Sequence, residues 1–224
     1  MSLLTVGIDT STFETGVGVV LPDGRALERF DIPQPGTRPA HSSATLRMLE
    51  QALSDVGAGF DEIGRVAVTV GPGSFTGIRI GLATANGLAL AVGVKAQGAS
   101  SLLTLLRGAA ALQQPAVALI DARRGELFVA TSTAPQDRFA LPLTEQTEWW
   151  QGFPAGAICI GDGAIQNADV LTAAGFTVPV PSDSLHRISP IDVCLEASSW
   201  PEGVDVAPEY LRRPDAVPTS ERGS

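Results

Sequence analysis

Three short segments hold residue types that could do chemistry. Asp9-Thr10-Ser11 closes an apolar run, so a carboxylate, two hydroxyls and turn amides share one tip, a combination able to hold phosphate or magnesium. The ordinary alternative is a β-turn in which Asp9 and Ser11 satisfy neighbouring amides. The segment from Gly71 to Gly77 (GPGSFTG) joins a β-branched run to a helical one, where loop amides and a helix dipole could cradle an anion. Its ending lacks the Gly-Lys-Ser/Thr of a P-loop, and its glycines do not have dinucleotide-fingerprint spacing. Ser74 also lacks the flanking of a nucleophile elbow and reads as a helix cap. Asp121, Arg123, Arg124 and Glu126 place charges of both signs on a hairpin tip, which could grip phosphate or form a solvated turn.

Little else competes with these. The chain has 2 histidines, His41 and His186, so a Ser/His/Asp triad or a histidine metal cluster would need a long-range coincidence. His41 could act as a base or be an exposed loop residue; His186 reads as a loop residue. The formal charge of -9 repels phosphate backbones, and the only basic clusters are Arg123-Arg124 and Arg212-Arg213, so independent nucleic-acid binding is not expected. Cys159 and Cys194 lie in apolar surroundings without ligand spacing and read as buried free thiols. The opening MSLLTVGIDTS has no basic n-region and reads as a strand, and the apolar run Ile80 to Val94 is short for a bilayer; both point to a cytoplasmic setting with no membrane segment.

The elements that would position these residues are legible. At 224 residues and 44% hydrophobic content the chain can bury one large core or two smaller lobes. Strands are expected at Leu3 to Ile8, Gly16 to Leu21 and Arg25 to Phe30, the last two joined by the turn Pro22-Asp23-Gly24. A helix from Ser42 to Val56 places Leu46, Leu49, Leu53 and Val56 on one face, with Met48 and Ala52 beside them, and stops at Gly57. Then follow a strand Arg65 to Val70, a helix capped by Ser74 and running to Val92, a strand near Val94 to Gln97 and a helix Ser100 to Ala111. The second half offers strands Ala116 to Ile120, Leu127 to Ser132 and Ala157 to Ile160. A helix from Gly161 to Gly175 comes next, and the last helix is marked by Ser189, Pro190 and Asp192. Val6-Gly7-Ile8-Asp9-Thr10 is echoed by Leu119-Ile120-Asp121-Ala122. Two duplicated lobes or two unrelated hairpins would both give that echo.

The helix behind Ser74 is apolar nearly all round, so it requires cover nearly all round, from the core or from another chain. Gly77, Gly81 and Ala85 recur every fourth residue, a strip of almost no side chain that would let another helix approach closely.

Gly71 to Ala89 (GPGSFTGIRIGLATANGLA) resembles the signature segment of the TsaB (YeaZ) family of tRNA threonylcarbamoyladenosine biosynthesis. Ile8-Asp9-Thr10-Ser11, His41-Ser42, Leu119 to Glu126 and Tyr210-Leu211-Arg212 agree with it. The resemblance implies an α/β, two-lobed fold of the actin, heat-shock-chaperone and sugar-kinase type, ribonuclease H-like and duplicated, with mixed sheets and flanking helices. The lobes would span 1–111 and 112–215, helix 189–199 packing back on the first, with a disordered tail at 216–224. It implies a role as non-catalytic partner of TsaD, which transfers a threonylcarbamoyl group to the adenosine beside the anticodon, with tRNA met only through the complex. TsaD carries a His-x-x-x-His metal pair at a fixed distance from its glycine-proline-glycine loop. The corresponding positions here are Ser101 and Leu105, so no metal and no catalytic residue is expected.

The first two helices of the first lobe are the docking surface in this family, which assigns Leu46, Leu49, Leu53, Gly77, Arg79, Gly81, Thr84, Ala85 and Leu88 to the interface. The same surface implies a homodimer in isolation and, in the cell, a heterodimer with a TsaD-like subunit joined by a TsaE-like ATPase. Asp9, Thr10 and Ser11 become a vestigial nucleotide site; ATP or ADP at the joint interface is the one cofactor the resemblance admits. Asn86 replaces a lysine commoner in the family. Two other readings are a stand-alone nucleotide-dependent phosphotransferase using Asp9, Thr10 and Asp121, and a metallopeptidase, which the missing ligands oppose.

Overall fold

The computed structural model describes residues 3–34, 37, 41–143, 148–201 and 205–211. Arg212, Arg213 and the tail at 216–224 lie outside the described residues.

The first strands are β1 (Leu4–Asp9), β2 (Thr15–Val20) and β3 (Ala26–Asp31), an antiparallel meander. On its other edge β1 pairs in parallel with β4 (Ile63–Gly71), and β4 with β5 (Ala96–Ser100), giving the order β3-β2-β1-β4-β5. The second sheet repeats this scheme. Strands β6 (Ala116–Arg123), β7 (Glu126–Thr131) and β8 (Ala134–Pro142) form a meander, and β9 (Ile158–Ile160) adds in parallel to β6, in the order β8-β7-β6-β9. Asp9 ends β1 as Asp121 stands near the end of β6, so the sequence echo marks the same station in two topologically matched sheets.

Helix α1 (His41–Val56) buries Ala44, Thr45, Met48, Leu49, Ala52 and Leu53 and stops at Gly57 (φ 73°) in the left-handed conformation that suits glycine. Helix α2 (Phe75–Val92) starts at Ser74, whose hydroxyl accepts from the Gly77 amide at 3.2 Å, and ends at left-handed Gly93. By length and composition α2 could cross a membrane. Its residues Gly77, Ile78, Gly81, Leu82, Ala85, Leu88 and Ala89 are nevertheless buried, and the apolar ones pack into a core with Val6, Ile8, Val66 and Val68 of the first sheet.

The opposite face of that sheet receives α3 (Ser101–Ala109) and α6 (Pro190–Glu196). Leu102, Leu105 and Val193 from these helices share one core with Ala67 and Ala99 of the first sheet and with Ala118, Ile120 and Phe128 of the second. Three glycines make the seat for α6. A Cβ on Gly7, Gly16 or Gly18 would run into Pro190, and on Gly7 also into Cys194. Outside the second sheet, α4 (Asp162–Gln166) and α5 (Ala168–Ala173) cover Leu119, Leu127 and Val129. The layers therefore alternate: helices, sheet, helices, sheet, helices.

Two expectations change. The single helix from Gly161 to Gly175 is two short ones, because the Asn167 side-chain amide donates to the Gly163 carbonyl at 2.8 Å and draws it away from a continuous ladder. Strand β8 was not legible. Its Pro135, Gln136 and Asp137 look like a loop, and the strand holds them because it is an edge with one partner.

Candidate functional site: an inter-sheet cleft and a groove between two helices

The tips of both sheets meet at a cleft of about 660 Å³. One wall is Ser11, Thr12 and Phe13 with the loop Pro72 to Phe75; another is Asp121 to Arg124 with Asp162; Glu209, Tyr210 and Leu211 close a third. This is where the three segments singled out for their chemistry converge, but not all their functional groups face it.

Asp9 is buried. Its Oδ1 accepts from the Ser11 amide at 3.0 Å, the Ser11 hydroxyl at 2.7 Å and the Thr69 hydroxyl at 2.7 Å, and the Ser101 hydroxyl donates onward to Ser11 at 2.9 Å. Burial pushes its carboxyl above the usual range, against those hydrogen bonds. Thr10, fully buried, donates to the Gly77 carbonyl at 2.8 Å. The turn reading therefore describes Asp9 and Thr10, which brace β1 against β4 and α2; Ser11 reaches the cleft wall but is part of the same network. A nucleotide site or phosphotransferase built on Asp9 and Thr10 is not what these contacts form.

The glycine loop is likewise filled by protein. The Ser74 amide donates to the Ser11 carbonyl at 2.7 Å. A Cβ on Gly73 would overlap that carbonyl, and one on Gly71 would stand 2.8 Å from the Glu209 carbonyl oxygen, so both glycines let other backbone pass. At the hairpin tip the Asp121 carboxylate accepts from the Arg123 amide at 2.7 Å and its guanidinium at 2.9 Å, with Arg123 and Arg124 left-handed. Burial raises the Asp162 carboxyl, whose Oδ1 accepts from the Asp121 amide at 3.0 Å.

His41 is buried rather than exposed. Its Nδ1 lies 2.7 Å from the Thr15 hydroxyl, and burial lowers its pKa. His186 has its ring nitrogens 3.1 Å from the Gly161 carbonyl and 3.0 Å from that of Pro179. Ser101 and Leu105 are buried in the core, and the described residues contain no cluster of three or more His, Cys, Asp or Glu able to hold a metal. Cys159 and Cys194 are free and buried, and burial pushes both thiols up to about 12.

A second concavity, of about 1060 Å³, lies between α1 and α2. Leu46, Arg47 and Glu50 line one side, Ala83, Thr84, Gly87, Leu88, Ala91 and Val92 the other, and Phe60 and Asp61 one end.

Residues 33–139, just under half of the chain, match the family model described as TsaD: tRNA N6-adenosine threonylcarbamoyltransferase. The tRNA threonylcarbamoyladenosine biosynthesis protein TsaB of Escherichia coli is 35% identical over 128 residues, 56% of this chain and 53% of that protein. TsaB of Haemophilus influenzae is 32% identical over 129 residues, 57% of this chain and 52% of that protein. Over that stretch the chain is similar to TsaB (YeaZ) proteins. The matched stretch spans about half the length of these two relatives. The fold match is wider: YeaZ from Pseudomonas aeruginosa superposes with a TM-score of 0.75 at 22% identity, over 93% of this chain and 100% of that one. The two-lobed, duplicated α/β architecture expected of a TsaB-type chain is thus the one observed.

Against that background the nine residues assigned to the docking surface divide. Leu46, Thr84 and Leu88 line the groove. Arg79 is exposed but lines the cleft, its guanidinium 3.8 Å above the Phe75 ring. Leu49, Leu53, Gly77, Gly81 and Ala85 are interior. The small-residue strip is occupied by the chain itself: a Cβ on Gly77 would overlap the Thr10 carbonyl, and one on Gly81 would collide with the Thr10 hydroxyl. Packing of β1 and β4 on that face leaves no room for a partner helix. The strip that does face outward, Ala83, Gly87 and Ala91, went unrecognised although its spacing is the same; open space surrounds Gly87.

Proposed function

We propose that the chain is the TsaB-type partner of a TsaD-like transferase in forming threonylcarbamoyladenosine on tRNA, and that it docks through the groove between α1 and α2. The observation that carries this is the exposed apolar face of α2. Leu90 on the outer side of α2 is 83% exposed, and Leu46, which lines the groove, is 49% exposed. Along the groove Ala83, Gly87 and Ala91 leave the α2 backbone accessible, so a partner helix could pack at close range and bury area that water now covers. The names of the relatives supply the reaction; the groove supplies the means of assembly.

In this reading the chain contributes no catalytic group of its own, two copies pair through the same groove when the partner is absent, and tRNA is met only in the complex. ATP or ADP and a TsaE-like ATPase act on the assembled pair.

The test is copurification with the TsaD-like subunit from the same cell, followed by tRNA modification with this chain present or omitted. Gly87→Leu and Leu46→Glu, both on open surface, are expected to keep the melting temperature and to reduce partner binding and modification at least tenfold. Normal binding by both variants would remove the groove from the reading, and undiminished modification without the chain would remove the function.

A further inference from the structure

The third wall of the cleft is not part of either sheet. Residues 205–211 have no regular secondary structure, and Glu209 makes their polar link between the first sheet and the second. The Glu209 amide donates to the Val70 carbonyl, at the end of β4, at 2.7 Å. Its carboxylate accepts from Arg138 Nε, on β8 of the second sheet, at 2.9 Å. These two side chains are only 20% and 23% exposed, so solvent screens the pair less than the outer contact of the segment, Lys95 with Asp205, where both are largely in water. One residue further on, the Tyr210 ring stacks on Phe75, with centroids 5.9 Å apart, at the start of α2. Phe75 and Tyr210 are each about half exposed, at 55% and 50%, so the stack lies at the mouth of the cleft.

We propose that residues 205–211 are a releasable strap that forms one wall of the cleft, and that the Glu209–Arg138 pair is the latch that holds it. Among the described residues the segment is held by one backbone hydrogen bond, the partly shielded Glu209–Arg138 pair, the solvent-facing ring stack and the outer Lys95–Asp205 pair, with Val206 and Leu211, both only partly buried, packed on the edges of two cores. A segment held in this way opens by local unfolding, at a free energy well below that of the sheets it spans. Release removes Glu209 and Tyr210 from the cleft wall together and lifts Leu211 from its partial packing on the core between the sheets. It also uncovers Phe75, at the start of α2, and with it the Arg79 guanidinium one turn on. The strap thus governs access to the cleft whether or not α2 docks a partner.

The chain contains 1 tyrosine, Tyr210, so protein grown with 3-fluorotyrosine reports on the strap through one fluorine resonance. In the wild type that resonance should carry the ring-current shift of Phe75. Glu209→Gln and Arg138→Gln should each add an unshifted, exchanging resonance and raise hydrogen exchange at the Glu209 amide at least tenfold. The β4 interior amides should be unchanged, and the double variant should go no further than either single one. Phe75→Leu should move the resonance but leave that amide protected. Three results would overturn the proposal: no change in either latch variant, protection lost equally across the sheets, or release of the Glu209 amide by Phe75→Leu alone.

Discussion

The Thr10 hydroxyl occupies the space that a side chain on Gly81 would need. It donates one turn earlier in the same helix, to the Gly77 carbonyl at 2.8 Å, so β1 and α2 meet at backbone range with a single hydroxyl between them. Glycines that look from sequence like an invitation to another molecule are the chain's own close contact.

The two glycines of α2 should therefore respond in opposite ways to the same change. Gly81→Ala forces a methyl group against Thr10 and should cost about 1–3 kcal/mol. Gly87→Ala meets nothing within 4 Å, and the lower backbone entropy of the unfolded chain should stabilise by about 0.4–1 kcal/mol. Urea unfolding of the pair checks this. A Gly81→Ala protein as stable as the wild type would mean that α2 does not sit this close to β1.

Asp9→Asn keeps an oxygen to accept from Ser11 and Thr69 while removing a buried charge. Because burial raises the Asp9 pKa above 3.8, the native state holds its proton more tightly than the unfolded state. Stability from this group is present at low pH and lost as pH rises through the folded-state pKa. At pH 7 the variant should be at least as stable as the wild type, and the wild type should gain on it as pH falls towards 3.8. Denaturant midpoints across that range measure the gap; one that does not change with pH would show that Asp9 carries no such strain.

His41 has the opposite sign. Its pKa is lowered from 6.5 by burial, against a smaller opposing pull from Asp31, so the unfolded state binds the proton first. The neutral ring beside Thr15 is favoured above 6.5, and stability is lost as pH falls below that value towards the folded-state pKa. His41→Gln should unfold with a shallower pH dependence between pH 7.5 and 5.5, read by thermal melts. Parallel curves for the two proteins would place the His41 ring in solvent.

What the sequence determined by itself was local. Ser74 and Gly93 bound α2 because an N-cap needs a short acceptor side chain and a C-cap needs a left-handed residue, and both requirements are written in residue type. The echo between Ile8-Asp9 and Ile120-Asp121 left a repeated meander and two unrelated hairpins equally open, and Gly71 to Ala89 pointed to the TsaB family. Which face of a helix lies inward was a different matter. Gly77, Gly81 and Ala85 have the same four-residue spacing as Ala83, Gly87 and Ala91, and periodicity identifies a stripe without saying what covers it. Only the packing of β1 and β4 turned the first stripe inward and left the second to the groove. The same holds for Leu46, which shares a leucine pattern with Leu49 and Leu53 but stays outside, because Ala44 and Met48 take the place against Val17 of β2. Glu209 is the extreme case: it lies 71 residues from Arg138, and no local pattern can announce a contact that exists only once two sheets have brought their tips together.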